Sequence, residues 1–343
     1  MKKGITKRPF GNFEDKAVTA YTISNETGMQ VTVINYGATI TQIITPDKEG
    51  QVGNVILGFD SLDGYLQNGH QFHGCAVGRY ANRIANSKFT LDGTAYSITN
   101  THDHFCLHGG KKGFDKVWWN IEEQNDGCSL KLTYLSKDGE EGFPGNVNIE
   151  LIYKLTSDNE LIMDYTAYTD KPTPVNLTNH CYFNLSAGKE INILSHELKI
   201  YASQYTEVNE HLVPTGQLVP LENRPIDFTN IKTVGQDIQL AGGYDHNLVL
   251  NNPGGKAAEL YDPASGRFME MYTTEPAVQF YSGNALHCDN ETNNTRSSFI
   301  QYAGLCLEAQ HYPNSPNEPS FPNTILRPGE KYRQTTSYKF SVR

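Results

Sequence analysis

The chain has 343 residues, with 38 acidic against 28 basic side chains and a formal charge of -10. That length can bury a large core, while the acidic balance excludes a protein built to grip phosphate backbones, so nucleic acid is not an expected partner. The start, MKKGITKRPF, carries basic residues with no apolar run behind them, and no stretch approaches a membrane-spanning length. A soluble, cytoplasmic protein with no membrane partner is expected.

In chain order, short runs rich in Val, Ile, Thr, Tyr and Phe recur: MQVTVINYG (29–37), SLKLTYLS (129–136), VNIELIYKL (147–155), LIMDYTAYT (161–169), INILSHELKI (191–200), HNLVL (246–250), FMEMYTT (268–274), AVQFYSG (277–283) and GLCLEAQ (304–310). Turn-type punctuation such as LDGT, SKDGEEGFPGN and NNPGG separates them. Short alternating runs divided by Gly, Pro, Asn and Asp predict antiparallel strands. Only SLDGYLQN (61–68) suggests a helical turn or two. Strand patterns run from near residue 19 to residue 341 with no linker, composition shift or internal repeat, which predicts an all-β chain: one large antiparallel β-sandwich domain over residues 1–343. The closing run RPGEKYRQTTSYKFSV predicts a C-terminal strand tied into a sheet, whose loss should damage the fold.

The stretch VNLTNHCYFNL (175–185) divides by parity. Val175, Leu177, Cys181, Phe183 and Leu185 share one face with Asn179, and Asn176, Thr178, His180, Tyr182 and Asn184 share the other. As a strand it would show a hydrogen-bonding face, with His180 on it, without the Lys or Glu of an open surface. In GLCLEAQ, Glu308 lies among apolar residues with no nearby Lys or Arg, and partial desolvation would lift its carboxyl toward the range of a general base. A histidine acid and a carboxylate base suit proton movement on a neutral polyol, although the distance between them in sequence leaves their meeting in space open.

The other candidates are individually ambiguous. THDHFCLHGG holds His102, His104, Cys106 and His108, a density that admits a metal cluster as well as a polar loop. Gly109 and Gly110 admit a close backbone approach or an ordinary turn, next to FDKVWW with Trp118 and Trp119. GRYANRIANSKF places Arg79, Asn82, Arg83 and Asn86 in a turn-rich stretch that is either a solvated loop or a planar donor set for hydroxyls. Asp245, His246 and Gln279 stand in GGYDHNLVL and VQFYSGN. Six cysteines (75, 106, 128, 181, 288 and 306) lie far apart without a CxxC and are expected as reduced thiols. The N-x-Ser/Thr triplets at Asn25, Asn176, Asn184, Asn290 and Asn293 carry no meaning in a cytosolic chain.

Taken together and in order, LGFDSLDGYL, GRYANRIANSKF, LHGGKKGFDKVWW, DGEEGFPGN, TPVNLTNHCYFNL, GYDHN, TTEPAVQFYSGN, GLCLEAQHYPNSPN and LRPGEKY strongly resemble the aldose 1-epimerase, or galactose mutarotase, family over nearly the whole chain. The resemblance implies the mutarotase-type supersandwich with an open groove for a free monosaccharide such as galactose or glucose, and neither metal nor organic cofactor. It implies Glu308 as general base, His180 as general acid and His108 beside the ring oxygen, with Asn82, Arg83, Tyr182, Asp245 and Gln279 around the sugar. On this resemblance Glu308 and His180 are expected to face one cleft with room for a pyranose ring between them, the polar face of 175–185 forming its floor with Asn176, Thr178, Tyr182 and Asn184 around His180. Three other readings are weighed beside it: a non-catalytic sugar-binding module, an epimerase of sugar phosphates needing a basic rim, for which Arg79 and Arg83 are the near candidates, and the metal isomerase. Oligomeric state and the choice between galactose and glucose stay open.

Overall fold

The computed structural model describes residues 3–67, 71–286 and 299–343; Cys288 and the triplets at Asn290 and Asn293 lie outside the described residues. Three larger antiparallel sheets dominate. The first has five strands in chain order, Gly4–Phe13, Lys16–Ser24, Gln30–Ile34, Ile40–Pro46 and Val52–Asn54. The second has nine, ordered Asn120–Glu123, Ser129–Ser136, Val147–Leu155, Glu160–Thr169, Tyr332–Val342, Arg267–Thr273, Lys256–Tyr261, Glu197–Ile200 and Lys232–Thr233. The third has five, ordered Pro214–Pro220, Ala202–Val208, Asp245–Leu250, Ala277–Tyr281 and Cys306–Gln310.

Alternation makes this a sandwich. In Val147–Leu155 every odd residue is buried, and in Glu160–Thr169 the odd residues from Leu161 to Ala167 are buried. One face of the nine-stranded sheet thus meets Ile23, Val31 and Ile43 of the first sheet and Leu248, Val278, Phe280, Leu307 and Ala309 of the third in one apolar core. Buried polar groups cross the layers: Tyr338 Oη donates to the Leu307 carbonyl at 3.1 Å, the Gln334 amide to that of Ala309 at 3.1 Å, and Tyr153 Oη to that of Ala38 at 2.8 Å. Each keeps a buried polar group partnered, the condition for tolerating it in a core. The first two hold the strand that carries Glu308 against the large sheet.

The expected strands form, with three differences. The first ladder begins at Gly4, because Gly4–Phe13 is an edge strand whose mostly exposed residues give little apolar alternation. INILSHELKI is a ladder only from Glu197. The third difference bears on the site: of VNLTNHCYFNL only Thr178–Asn179 lies in a regular ladder, opposite Ala76–Val77. The rest is extended chain stitched to several neighbours, with His180 N–H donating to Cys75, Gly74 N–H to His180, Leu57 N–H to Tyr182 and Phe183 N–H to Leu305. Parity holds even so, since Val175, Leu177, Cys181, Phe183 and Leu185 all enter the core. SLDGYLQN yields the short helix Leu62–Gln67, and the C-terminal strand sits between Glu160–Thr169 and Arg267–Thr273. Among the described residues no helix is long and apolar enough to cross a membrane.

Candidate active site

Glu308 is reached through its strand. In Cys306–Gln310 all five residues are buried, and Glu308 pairs across the ladder with Gln279, whose strand pairs in turn with Asp245–Leu250. One end of the third sheet therefore delivers Asp245, Gln279 and Glu308 together. His180 arrives from the 175–185 segment and His108 from the turn after Phe105–Leu107. That turn depends on Gly109: at φ +84°, a Cβ there would lie 2.1 Å from the Gly78 carbonyl oxygen. Asn82 and His108 both have left-handed backbones, and they exchange bonds, His108 N–H to the Asn82 carbonyl at 3.0 Å and Asn82 N–H to His108 Nδ1 at 3.1 Å.

Gln279 apart, the side chains of Asp245, Glu308, His180, His108 and Asn82 line a groove of about 530 Å³ together with Arg83, Tyr182, His246, Tyr281 and Asn284. His180 Nε2 lies 3.6 Å from Glu308 Oε1, and the His180 ring meets those of His108 at 5.4 Å and Tyr182 at 5.0 Å. Arg83 Nη2 pairs with Asp245 Oδ2 at 3.3 Å, and Asp245 Oδ1 accepts from the Gln279 amide at 2.5 Å. Glu308 Oε2 is buried with no partner, an acceptor left open in the groove wall. A larger groove of about 700 Å³ lies over the nine-stranded sheet, but among its described lining residues Glu150 is the one carboxylate and there is no histidine, so no histidine–carboxylate pair faces it there.

Burial sets the protonation of the pair. Desolvation, helped by the charge of Asp245 and opposed by Arg83, pushes the Glu308 carboxyl well above the ordinary carboxylate range. Desolvation likewise lowers His180 to about 4, against smaller raising effects from a backbone hydrogen bond and Asp245. His108 is pushed well down by burial first and by the neighbouring His180 and Arg83 next. Both imidazoles are thus neutral at neutral pH, the state of a ring that offers one N–H and one lone pair.

The structure brings Glu308, His180, His108, Asn82, Arg83, Tyr182 and Asp245 to one groove. Gln279 stands one step back: its amide is taken by Asp245, and it is not among the lining residues. The expectation of a ring lying between Glu308 and His180 is not met, because 3.6 Å leaves no room for one; the two stand side by side in one wall. Nor do Asn176, Thr178 and Asn184 form a groove floor. Asn176 bonds to both backbone groups of His311, Asn184 holds the Ala303 and Glu190 carbonyls, and Thr178 is buried opposite Val77. Uncharged polar residues stitching irregular backbone give the same parity pattern as a binding face.

The metal alternative is not assembled from the residues that suggested it. His102 stacks on Phe105, His104 stacks on His211, and Cys106 is buried opposite Ile84. His108, His180 and Glu308 do bring ligand-type atoms within 4.8 Å of one another. A metal-bound imidazole, however, donates its second nitrogen's proton to an outer acceptor, whereas His108 Nδ1 accepts a proton from the Asn82 amide. His108 Nε2 therefore carries hydrogen and offers no lone pair. Arg79 is also absent from the groove, being buried against Ser136, Thr173 and the Pro144 and Lys137 carbonyls, so Arg83 is the one Lys or Arg among the described lining residues. No basic rim for a phosphate results.

Phe72 went unnoticed in the sequence. It lines the groove with its ring 4.6 Å from that of His108 and 5.7 Å from that of His180, at φ +58°. A left-handed phenylalanine is a backbone outlier of the kind that collects at functional sites. No signal in QFHG announces it, because φ is set by the surrounding fold.

Fold and site together define a β-sandwich enzyme that pairs a buried carboxylate with an imidazole. The family model described as aldose 1-epimerase matches residues 19–339. The chain is 40% identical over 344 residues to the galactose mutarotase of Rattus norvegicus, covering 98% of this chain and 99% of that protein. It is 39% identical over 330 residues to the aldose 1-epimerase of Escherichia coli K12, covering 93% and 94%. Among solved structures, a galactose 1-epimerase from Lactobacillus acidophilus superposes with a TM-score of 0.86 at 27% identity over 99% of both chains. The chain belongs to the aldose 1-epimerase family and is an isomerase of that class.

Proposed function

We propose that the protein is a mutarotase, interconverting the α and β anomers of free hexoses such as D-galactose and D-glucose by opening and re-closing the pyranose ring. The observation that carries this reading is the side-by-side placement of Glu308 and His180 on the wall of a groove that also presents Asn82, Arg83, Tyr182, Asp245 and Asn284. The anomeric hydroxyl and the ring oxygen are borne on one carbon. An acid and a base that stand next to each other can therefore serve both at once, which opposite walls could not do.

Glu308, ionised, takes the proton of the anomeric hydroxyl. His180 gives its Nε2 proton to the ring oxygen as the bond from that oxygen to the anomeric carbon breaks, the proton taken by Glu308 replaces it on Nε2 so that the imidazole stays neutral, and a free aldehyde forms. Rotation about the bond to the next carbon presents the other face, and the reverse transfers close the ring and reset both groups. His108, fixed as an Nε2–H donor, supports the charge developing on the ring oxygen. Arg83, Asp245, Asn82 and Tyr182 hold the remaining hydroxyls, and Gln279 acts by fixing Asp245. Each proton transfer contributes on the order of 10² to 10⁴ in rate, and the sequence of steps calls for no cofactor or metal.

The whole chain, 1–343, serves as one domain on this reading, with a free monosaccharide as its partner and neither nucleic acid nor membrane. The five cysteines among the described residues, buried and without a disulfide, support a reducing, cytoplasmic setting. The test is polarimetry on freshly dissolved α-D-galactose and α-D-glucose, with and without a chelator. Faster equilibration that survives the chelator is expected; sugar binding without any change in rate would establish the non-catalytic module instead.

A further inference from the structure

The Cys306–Gln310 strand places two groups against His180, not one. Cys306 and Glu308 are two residues apart and so point to the same face, separated by about 7 Å along the strand. The imidazole bridges that interval: Nδ1 lies 3.4 Å from Cys306 Sγ, and Nε2 lies 3.6 Å from Glu308 Oε1. Cys306 is fully buried among Tyr182, Leu286 and Ala303, an apolar cluster whose side chains leave Nδ1 as the acceptor at hand for its thiol.

We infer that Cys306 is a positioning residue for His180: its thiol donates to Nδ1, holds the ring in the plane that aims Nε2 into the groove, and keeps the hydrogen on Nε2.

Two further observations support this. Burial, and next the nearby Glu308, push the Cys306 thiol well above its ordinary range, so it stays protonated and remains a donor. The partner of Nδ1 is also uncharged. A carboxylate in that position, as in Ser-His-Asp triads, would stabilise the imidazolium; a thiol orients the ring without doing so. The titratable or charged groups facing His180 are then Glu308, His108, Tyr182, Cys306 and, further out, Asp245 with its partner Arg83. The outcome matches His108, whose Nδ1 accepts from the Asn82 amide. Two neutral imidazoles, one locked by a backbone amide and one by a thiol, present N–H groups to the same region of the groove. A neutral imidazole that donates to an oxygen gaining negative charge is an established way to polarise a sugar-type carbonyl.

The kinetic part rests on the mutarotase reading, whereas the tautomer does not, so the two can fail separately. Long-range ¹H–¹⁵N spectra of the full-length protein labelled at histidine, with His180 assigned by comparison with His180→Asn, report which ring nitrogen carries hydrogen at neutral pH. The Nε2–H form is expected in the wild type. Cys306→Ala is expected to mix the tautomers and lower kcat about 10-fold at unchanged KM, the size of effect typical of an outer partner of a functional histidine. Cys306→Ser, which keeps a donor, should restore most of kcat and the single tautomer. A cysteine that merely fills space would leave tautomer and kcat unmoved in Cys306→Ala, with Ser no better than Ala, and that result overturns the inference. So does an Nδ1–H form in the wild type, which needs no variant to fold.

Discussion

Among the described residues two histidine–glutamate pairs, one fully buried and one with its histidine half-buried, share one segment. His180 and Glu308 meet at 3.6 Å in the groove; three residues beyond Glu308, His311 Nδ1 meets Glu275 Oε2 at 2.5 Å behind it. The side-chain types are the same, and the protonation is opposite. At His311, burial lowers the imidazole's proton affinity, but the charge and hydrogen bond of Glu275 overcome it and the net shift is upward. At His180 no partner is close enough to offset desolvation, and the shift is downward to about 4. A tight pair favours the protonated imidazole and ties the turn between Arg267–Thr273 and Ala277–Tyr281 to the chain just past Cys306–Gln310. A loose pair beside open space keeps the imidazole neutral and makes the carboxylate, once ionised, a stronger base, so that both can exchange protons with something placed against them.

The largest expected effect comes from breaking the loose pair. Glu308→Gln removes the base and should lower kcat by roughly 10³, and His180→Asn by a similar factor, within the range general acid–base groups supply. Glu308→Gln should also raise the melting temperature at neutral pH. The carboxyl's proton affinity is raised by folding, so its contribution to stability is full below the unfolded carboxyl's range and is lost as pH rises through the folded value. The glutamine variant escapes that loss, and calorimetry at two pH values checks it.

Breaking the tight pair should do the reverse. Glu275→Ala leaves the half-buried His311 without its partner and should cost about 2 kcal/mol of stability in denaturant titration, with kcat little changed. Because folding raises the His311 proton affinity, the stabilisation from this pair is full below the ordinary histidine range and fades as pH rises through the folded value. Wild type and Glu275→Ala should therefore converge in stability toward alkaline pH.

A smaller effect sharpens the comparison at the groove rim. Asp245→Asn keeps a hydrogen-bonding group beside Arg83 and Gln279 but removes the charge that, after desolvation, helps hold Glu308 up. The acidic limb of the rate–pH profile, set by ionisation of Glu308, should move to lower pH, with KM rising a few-fold from weaker hydroxyl binding.

How far this was legible in the sequence depends on the range of the interaction. Alternation in 147–155 and 161–167 showed buried faces because the period of a strand is local. The same rule placed Leu177, Cys181 and Phe183 in the core, although their backbone is mostly outside any ladder. It failed for Asn176 and Asn184, whose amides are spent on loop backbone that only the folded chain brings near. His180 and Glu308 were recognisable through family-like motifs, but their spacing was not, and a ring was expected where 3.6 Å separates them. Glu275 and His311 left no trace, since an ion pair across 36 residues has no sequence period. Phe72 and the bond between Cys306 and His180 are equally products of three-dimensional packing.

The account's central claim is that proton transfer belongs to the loose pair alone. The most direct measurement is anomeric exchange of D-galactose, followed by magnetisation-transfer NMR at equal concentrations of the wild type, Glu308→Gln and Glu275→Gln. The account predicts exchange near the wild-type rate in Glu275→Gln and near the uncatalysed rate in Glu308→Gln. Undiminished exchange in Glu308→Gln, or its loss in Glu275→Gln with the fold intact, would contradict it.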